Sequence, residues 1–250
     1  VEEGAVRFSV VLPAYREAAR IGMTVQRVRR ALSGVHAEII VVDDGSGDGT
    51  AEAAVAAGAD RVVAKPSNGG KGAAVRAGAL VARGRAVAFT DADLSYAPEQ
   101  LLGLLARVED GWDAVVGSRA HPAARTVVGA GAVRTLSTHA FNLVTHLALP
   151  TRRYGDTQCG LKAFSAEAAQ LLFGLARIDG FAFDVELLYL AELHGLTVLE
   201  VPVAVANSST STVRVGRDSL RMLRDILRVR RWSASGAYVA PLAEVRQAAA

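Results

Sequence analysis

A single cysteine, Cys159, is all that these 250 residues contain, so an internal disulfide is excluded. No CxxC pair or histidine-rich cluster suggests a zinc site, and the five histidines are scattered as core or surface residues would be. No stretch of eighteen uncharged apolar residues occurs, which argues against a membrane-spanning helix. The chain begins with acidic Glu2 and Glu3 and then VRFSVVLPAY, without the basic head and apolar stretch of a signal peptide. Internal repeats and low-complexity linkers are absent as well, and the alanines at 248–250 read as part of a frayed tail. These absences lead to the expectation of a soluble, intracellular protein.

What the chain does have is apolar content sufficient for one large core: 51% apolar against 21% charged residues. Short valine-rich runs at 8–12, 39–42, 62–64, 86–89 and 114–116 have the character of buried parallel strands. Segments of helical composition at 18–32, 50–57, 71–82 and 98–108 separate them. This alternation predicts an α/β fold, a doubly wound and mostly parallel sheet flanked by helices, whose ligands sit beyond the carboxyl ends of the strands. Further on, 131–150 reads as an amphipathic helix, TRRYGDTQCGLKAF as a loop entering a short strand, FDVELLYLAELHG as a helix ended by glycine, and TVLEVPVAV as a strand.

The residues just after the strands carry the chemistry. They are PAYRE (13–17), DDGSGDGT (43–50), KPSNGGKG (65–72) and TDADLS (90–95), and one ligand touching all four loops is the economical inference. DDGSGDGT is open to two readings: a strand-to-helix turn in which Asp48 or Thr50 caps the next helix, or a site where Asp43 and Asp44 accept hydrogen bonds from a ribose or a base. NGGKG offers backbone amides and the Lys71 cation to an anion, although an ordinary glycine turn reads nearly as well, and it is neither a P-loop nor GxGxxG. DAD is sharper. Asp91 and Asp93 flank Ala92 roughly 7 Å apart on an extended backbone, and two such carboxylates repel unless a cation or hydrogen-bond donors neutralise them. Hard oxygen ligands of this kind select Mg²⁺ or Mn²⁺ bridged to a diphosphate, whereas a helix cap explains one acid and not both.

Charge is concentrated late in the chain. Residues 214–231 hold seven arginines against Asp218 and Asp225, an excess of +5 in a protein of net charge +3, leaving −2 elsewhere. On a helical wheel Arg217, Arg221, Arg224, Arg228 and Arg231 fall within roughly 40° of one line, and Leu220, Met222, Leu223, Ile226, Leu227 and Val229 fill the rest. A solvated helix packed on the domain and a helix lying on an anionic membrane surface both fit, the second helped by Trp232. Nucleic acid is disfavoured, because no aromatic-interleaved basic surface or DNA-binding motif accompanies the arginines.

Taken in order, VVLPAYREAARI, IIVVDDGSGDGT, NGGKGAAVRAG, FTDADLS and VVGSR resemble the family 2 glycosyltransferases of the GT-A fold. DTQCGLKAF and FDVELLYLA narrow this to the polyprenyl-phosphate sugar synthases, closest to the dolichyl-phosphate β-glucosyltransferase branch, over residues 8–232. The resemblance implies that Pro13, Ala14, Tyr15 and Glu17 line a nucleoside pocket with Asp43, Asp44 and Lys71. It implies that Asp91, Ala92 and Asp93 form the metal and diphosphate motif, the two acids binding Mg²⁺ or Mn²⁺. Arg119 and Arg134 match arginines facing the acceptor phosphate or donor diphosphate, Asp156 an acid close to the transfer site, and Lys162 a basic position. Ser95 departs from mannosyltransferase relatives that place a glutamine metal ligand there.

The implied organisation is a nucleotide-sugar half (1–119), an acceptor half (120–205) and a basic amphipathic segment (206–250). The implied reaction is inverting transfer of a hexose from a nucleotide-sugar donor, UDP-glucose favoured, to a polyprenyl phosphate acceptor. Location would be peripheral, on the inner face of the cell membrane. Alternatives are a GDP-mannose donor, a soluble glycan acceptor, or a non-enzymatic nucleotide-binding scaffold at the membrane.

Overall fold

The computed structural model describes residues 5–126, 145, 149, 153–205 and 217–239. The chain opens with β1 (Phe8–Ala14), α1 (Ala18–Ala31), β2 (Ala37–Asp43), α2 (Thr50–Ala56), β3 (Arg61–Ala64), α3 (Lys71–Leu80), β4 (Ala86–Thr90) and α4 (Gln100–Glu109). β5 (Ala114–Ser118) and β6 (Arg125–Thr126) follow. Then come β7 (Leu161–Ser165), α5 (Ala166–Leu175), α6 (Phe183–Leu193), β8 (Val198–Pro202), β9 (Ala204–Val205) and α7 (Arg217–Ala234). The expected strands and helices of the first half form where the hydrophobic pattern put them. The helix expected at 131–150, with Arg134, and the tail at 248–250 lie outside the described residues.

Seven strands form one sheet in the order β3-β2-β1-β4-β7-β5-β8. β1 is paired parallel to both β2 and β4, as in Val10↔Ile39 and Val10↔Ala88. Its side chains alternate between two cores: Val11 packs with residues of α3, α5 and α6, while Val10 and Leu12 pack with Ile21, Val25 and Val28 of α1 and Leu101 and Leu105 of α4. Burial on both faces is why the strand reads as an unbroken apolar run rather than an alternating one.

β7 is the antiparallel member, inserted between β4 and β5 with Thr90↔Leu161 and Val116↔Lys162 as pairs. A strand that starts at the edge where its neighbours end must run against them. The loop preceding β7, which holds DTQCG, therefore lies on the same sheet edge as the loops following β1, β2 and β4. TVLEVPVAV differs from the single strand expected. Pro202 has no amide to extend the ladder, and the chain leaves β8 for β9, which pairs with β6 in a two-stranded sheet and bridges to Tyr96. Among the described residues no helix is long and apolar enough to cross a membrane.

Candidate active site

The DDGSGDGT loop is tied down by its own polar atoms. Ser46 Oγ accepts from the Arg16 amide at 2.8 Å and Thr50 Oγ1 from the Glu17 amide at 3.0 Å, while Asp43 Oδ1 accepts from the Ser46 amide. The loop after β2 thereby shapes PAYRE and the start of α1, where Arg16 sits at φ +58°. Asp48 accepts from the Thr50 amide and hydroxyl, a local turn, while α2 itself has Gly49 at its N-cap. Pro13 and Ala14 end β1, the Tyr15 ring is 43% exposed beyond them, and Glu17 is bound to Arg20 at 2.7 Å.

Asp44 is buried and fully engaged. Its carboxylate accepts from Lys65 Nζ at 2.5 Å, from the Gly69 amide at 3.0 Å and from the Gly70 amide at 2.7 Å. The Ala73 amide, one turn into α3, donates to Asp179 O. This corrects the reading of NGGKG as a set of free amides awaiting an anion: the amides of Gly69 and Gly70 are consumed by Asp44. Gly70 has φ +102° and lies against the Asp179 carbonyl, so a side chain there would meet both a strained backbone and a collision. What the loop offers the site is Lys71.

Lys71 Nζ lies 2.5 Å from Asp91 Oδ1. Burial alone would push this lysine down, but Asp91 and Asp184 beside it outweigh burial and hold it above the ordinary value, protonated. The DAD backbone is pinned by Thr24 Oγ1, which donates to Ala92 O at 2.7 Å, and by the Ser95 amide, which donates to Asp93 Oδ1. Leu94 adopts φ +56°, a conformation that costs a non-glycine residue about 1 kcal/mol. Gly160 closes over Asp91 so tightly that a Cβ would collide with the carboxylate. Asp91 and Asp93 are hard oxygen donors, and among the described residues no group of three or more His, Cys, Asp or Glu could cage an ion by itself. This fits Mg²⁺ or Mn²⁺, which keeps waters and takes diphosphate oxygens, and not a fully protein-bound metal.

Across the edge, Arg119 follows β5 and grips Asp156 with Nε at 2.6 Å, Nη2 at 2.8 Å and its backbone amide at 3.0 Å. Burial pushes the Asp156 carboxyl up, yet the hydrogen bonds and charge of Arg119 prevail and hold it below the usual carboxylate range. Glu200, from β8, accepts from the Gly155 and Asp156 amides and so fixes the same loop. Cys159 is fully buried next to Tyr96, its thiol pushed up to about 11 chiefly by burial, which makes it inert packing rather than a nucleophile.

Lys162 is 0% exposed; its Nζ donates to Asp184 Oδ1 at 2.5 Å and to the Cys159 carbonyl at 2.6 Å. Burial pushes Asp184 up against the pull of Lys162 and Lys71. Asp91, Lys71, Asp184 and Lys162 thus form a line of alternating charge from the mouth of the site into the core. Of the expected residues, Glu17 and Asp44 pair with Arg20 and Lys65, while Lys71 with Asp91 and Arg119 with Asp156 pair with each other at the sheet edge. Lys162 supports them from beneath, and Arg134 lies outside the described residues. Asp184 and Glu200 were not singled out from sequence. The available signal was an acid at the start of the apolar FDVELLYLA helix and another inside the strand TVLEV.

The family model for "Glycosyl transferase family 2" matches residues 9–158, more than half of the chain. The chain belongs to this family. The glycosyltransferase is 35% identical over 244 residues to a dolichyl-phosphate β-glucosyltransferase of Drosophila melanogaster, covering 90% of this chain and 74% of that protein. It is 31% identical over 247 residues to a polyprenol monophosphomannose synthase of Mycolicibacterium smegmatis, covering 92% and 88% respectively. Among solved structures, glucosyl-3-phosphoglycerate synthase of Mycobacterium tuberculosis, in complex with Mn²⁺, UDP-glucose and phosphoglyceric acid, superposes with a TM-score of 0.69 at 26% identity over 91% of this chain and 80% of that one. The sheet order and helix placement are those of the GT-A fold.

Proposed function

We propose that this glycosyltransferase moves glucose from UDP-glucose to the phosphate of a polyprenyl acceptor of the dolichyl type, with inversion at the anomeric carbon. The observation that carries the reading is the arrangement on one sheet edge: a cation-matched DAD motif just after β4, and across from it a clamp of Arg119, just after β5, on Asp156, in the loop before β7. Support comes from the names of the relatives, most of all the dolichyl-phosphate β-glucosyltransferases, and from the Mn²⁺–UDP-glucose complex of the structural neighbour.

Asp91 and Asp93 would hold Mg²⁺ or Mn²⁺, which when bound supplies charge for the leaving diphosphate. Lys71, released from Asp91, remains within the field of Asp184 and faces the same leaving group as a second cation. Pro13, Ala14, Tyr15 and Glu17 border the nucleoside end, shaped by the loop of Asp43 and Asp44. Arg119 uses Nε and Nη2 on Asp156 and keeps Nη1 for an incoming phosphate. A general base works best with a pKa near the operating pH, and Asp156 is held well on the acidic side. Asp156 therefore orients Arg119, and the acceptor, already an anion, attacks without a base. Residues 1–119 serve the donor, with Arg119 at their boundary reaching the acceptor phosphate, and residues 120–205 serve the acceptor.

The test is an acceptor panel with UDP-glucose and Mn²⁺. Transfer to polyprenyl phosphate and not to soluble sugars is expected; transfer to a soluble glycan alone overturns the reading. GDP-mannose is the second donor to try, because the Mycolicibacterium relative is a mannose synthase by name.

A further inference from the structure

Glu186 lies in the first turn of α6 and is 0% exposed. Its carboxylate takes hydrogen bonds from neutral groups: the Arg177 amide at 3.0 Å, the Ile178 amide at 2.8 Å and the Tyr238 hydroxyl. Burial pushes its carboxyl up from the ordinary value, while these donors pull the other way. A carboxylate in a core is costly, and a turn that needs only an acceptor for two amides could be held by a neutral side chain. What the acid adds is stiffness, because charge-assisted bonds are shorter than neutral ones and about twice as strong.

The segment that Glu186 holds is the one on which α3 rests. The Ala73 amide, in the first turn of α3 and without an intrahelical partner, donates to the Asp179 carbonyl at 3.2 Å. A Cβ on Gly72 would lie 2.5 Å from the Ile178 carbonyl oxygen, and a Cβ on Gly70 would lie 2.5 Å from that of Asp179. Further along α3, Arg76 donates to the Ala176 carbonyl at 3.2 Å and pairs with Asp179 at 2.6 Å. Residues 176–180 are therefore clasped between Glu186 and the start of α3, with no side-chain layer between the two backbones to absorb a shift. Lys71 stands between the two contacting glycines. Asp184 comes two positions before Glu186, roughly 200° away around the helix, and its charge bears on Lys71 directly.

We propose that Glu186 is a positioning residue for the transfer reaction: by fixing residues 176–180 it seats Gly70 and Gly72, and so sets where the Lys71 ammonium stands before the leaving diphosphate. α6 then governs Lys71 twice, through the charge of Asp184 and through the turn that Glu186 holds. The inference rests on the reading of Lys71 as a cation for the leaving group.

The chain has three lysines, Lys65, Lys71 and Lys162, so lysine labelled with ¹³C at Cε gives a sparse NMR spectrum in which the Lys71 signal is the one lost in Lys71→Met. Full-length Glu186→Gln and Tyr238→Phe are compared with the unaltered protein, well below each melting temperature. Glu186→Gln should move the Lys71 signal and leave that of Lys65, which is bonded to Asp44, in place. It should lower kcat with UDP-glucose and polyprenyl phosphate about tenfold, less than the ~10²-fold of a 1 Å misplacement, with KM for the acceptor unchanged. Tyr238→Phe keeps the carboxylate and both amide bonds; it should act in the same direction to a smaller degree, and it serves as the test if Glu186→Gln does not fold. In the Lys71→Met background Glu186→Gln should cost nothing further, because it acts through Lys71. Where Lys71→Met is impaired, an unmoved Lys71 signal, an unchanged kcat in both variants, or a full tenfold loss on top of Lys71→Met overturns the positioning role. If the Lys71 signal moves while Lys71→Met keeps full kcat, Glu186 still sets the seat of Lys71, and the reading of Lys71 as a cation for the leaving group falls.

Discussion

Asp44 and Asp91 are acids of the same type just beyond the ends of β2 and β4, the two strands that flank β1, and their surroundings divide their work. Asp44 is locked to Lys65 and two glycine amides, so it holds the turn that presents Lys71. Asp44→Ala leaves a cation and two amides unmatched and should cost on the order of 3 kcal/mol in urea denaturation; a change below about 1 kcal/mol would contradict its structural role. Asp91 is partly open, and among the described residues its ion-pair partner is Lys71. Asp91→Asn should therefore leave the melting temperature nearly unchanged while lowering kcat by ~10²–10³-fold, the usual scale for losing one transition-state electrostatic contact. Retention of full turnover and of Mn²⁺ dependence in Asp91→Asn and Asp93→Asn would contradict the assignment. The two carboxylates of DAD were legible from spacing and charge alone. The occupation of Asp44 was not, because its partners lie 21 to 26 residues away and meet it only when β2 and β3 pair.

β7 with α6 shows the same division between pattern and packing. LKAFS reads as a strand with one odd charge, and FDVELLYLA as a helix with two odd acids; the fold places Lys162 against Asp184 in the core and satisfies Glu186 with the Arg177 and Ile178 amides and the Tyr238 hydroxyl. A buried pair of this kind is costly to break and inexpensive to replace as a unit. Lys162→Met should destabilise by about 3–5 kcal/mol, whereas Lys162→Met with Asp184→Leu should recover a large part of that loss. Equal destabilisation by the single and double changes would contradict the coupling. The double variant should still lose activity, since Lys71 then lacks Asp184 and is held by the acids of the DAD motif, Asp91 and Asp93, alone. Strand direction was the feature hidden from sequence: nothing in LKAFS announces that it runs against β4 and β5, and that direction is what brings DTQCG to the donor edge. The division of α7 into buried Met222, Ile226 and Val229 and exposed Leu223 and Leu227 was hidden for a related reason, since a wheel ranks residues by direction but does not say which arc meets the core.

The fold as a whole, α/β with ligand loops on one edge, followed from alternation of apolar runs and helical segments, because burial of both sheet faces leaves a strong signal in sequence. Its stability should carry a titration set by the site. Asp156 is held below the ordinary carboxylate range, so its pairing with Arg119 contributes fully above the unfolded value of about 4 and is lost as pH falls through the lower folded value. The melting temperature of the unaltered protein should exceed that of Asp156→Asn at neutral pH, and the gap should close in strongly acidic buffer. A gap that persists unchanged at acid pH would mean that Asp156 acts by packing and not by charge. The central claim, inverting transfer to a lipid phosphate by the two facing halves of the sheet edge, is tested most directly by NMR of the product formed from UDP-glucose, Mn²⁺ and polyprenyl phosphate. A single glucosyl phosphate of anomeric configuration opposite to that of the donor is expected; a product with retained configuration, or glucose on no lipid phosphate at all, would contradict it.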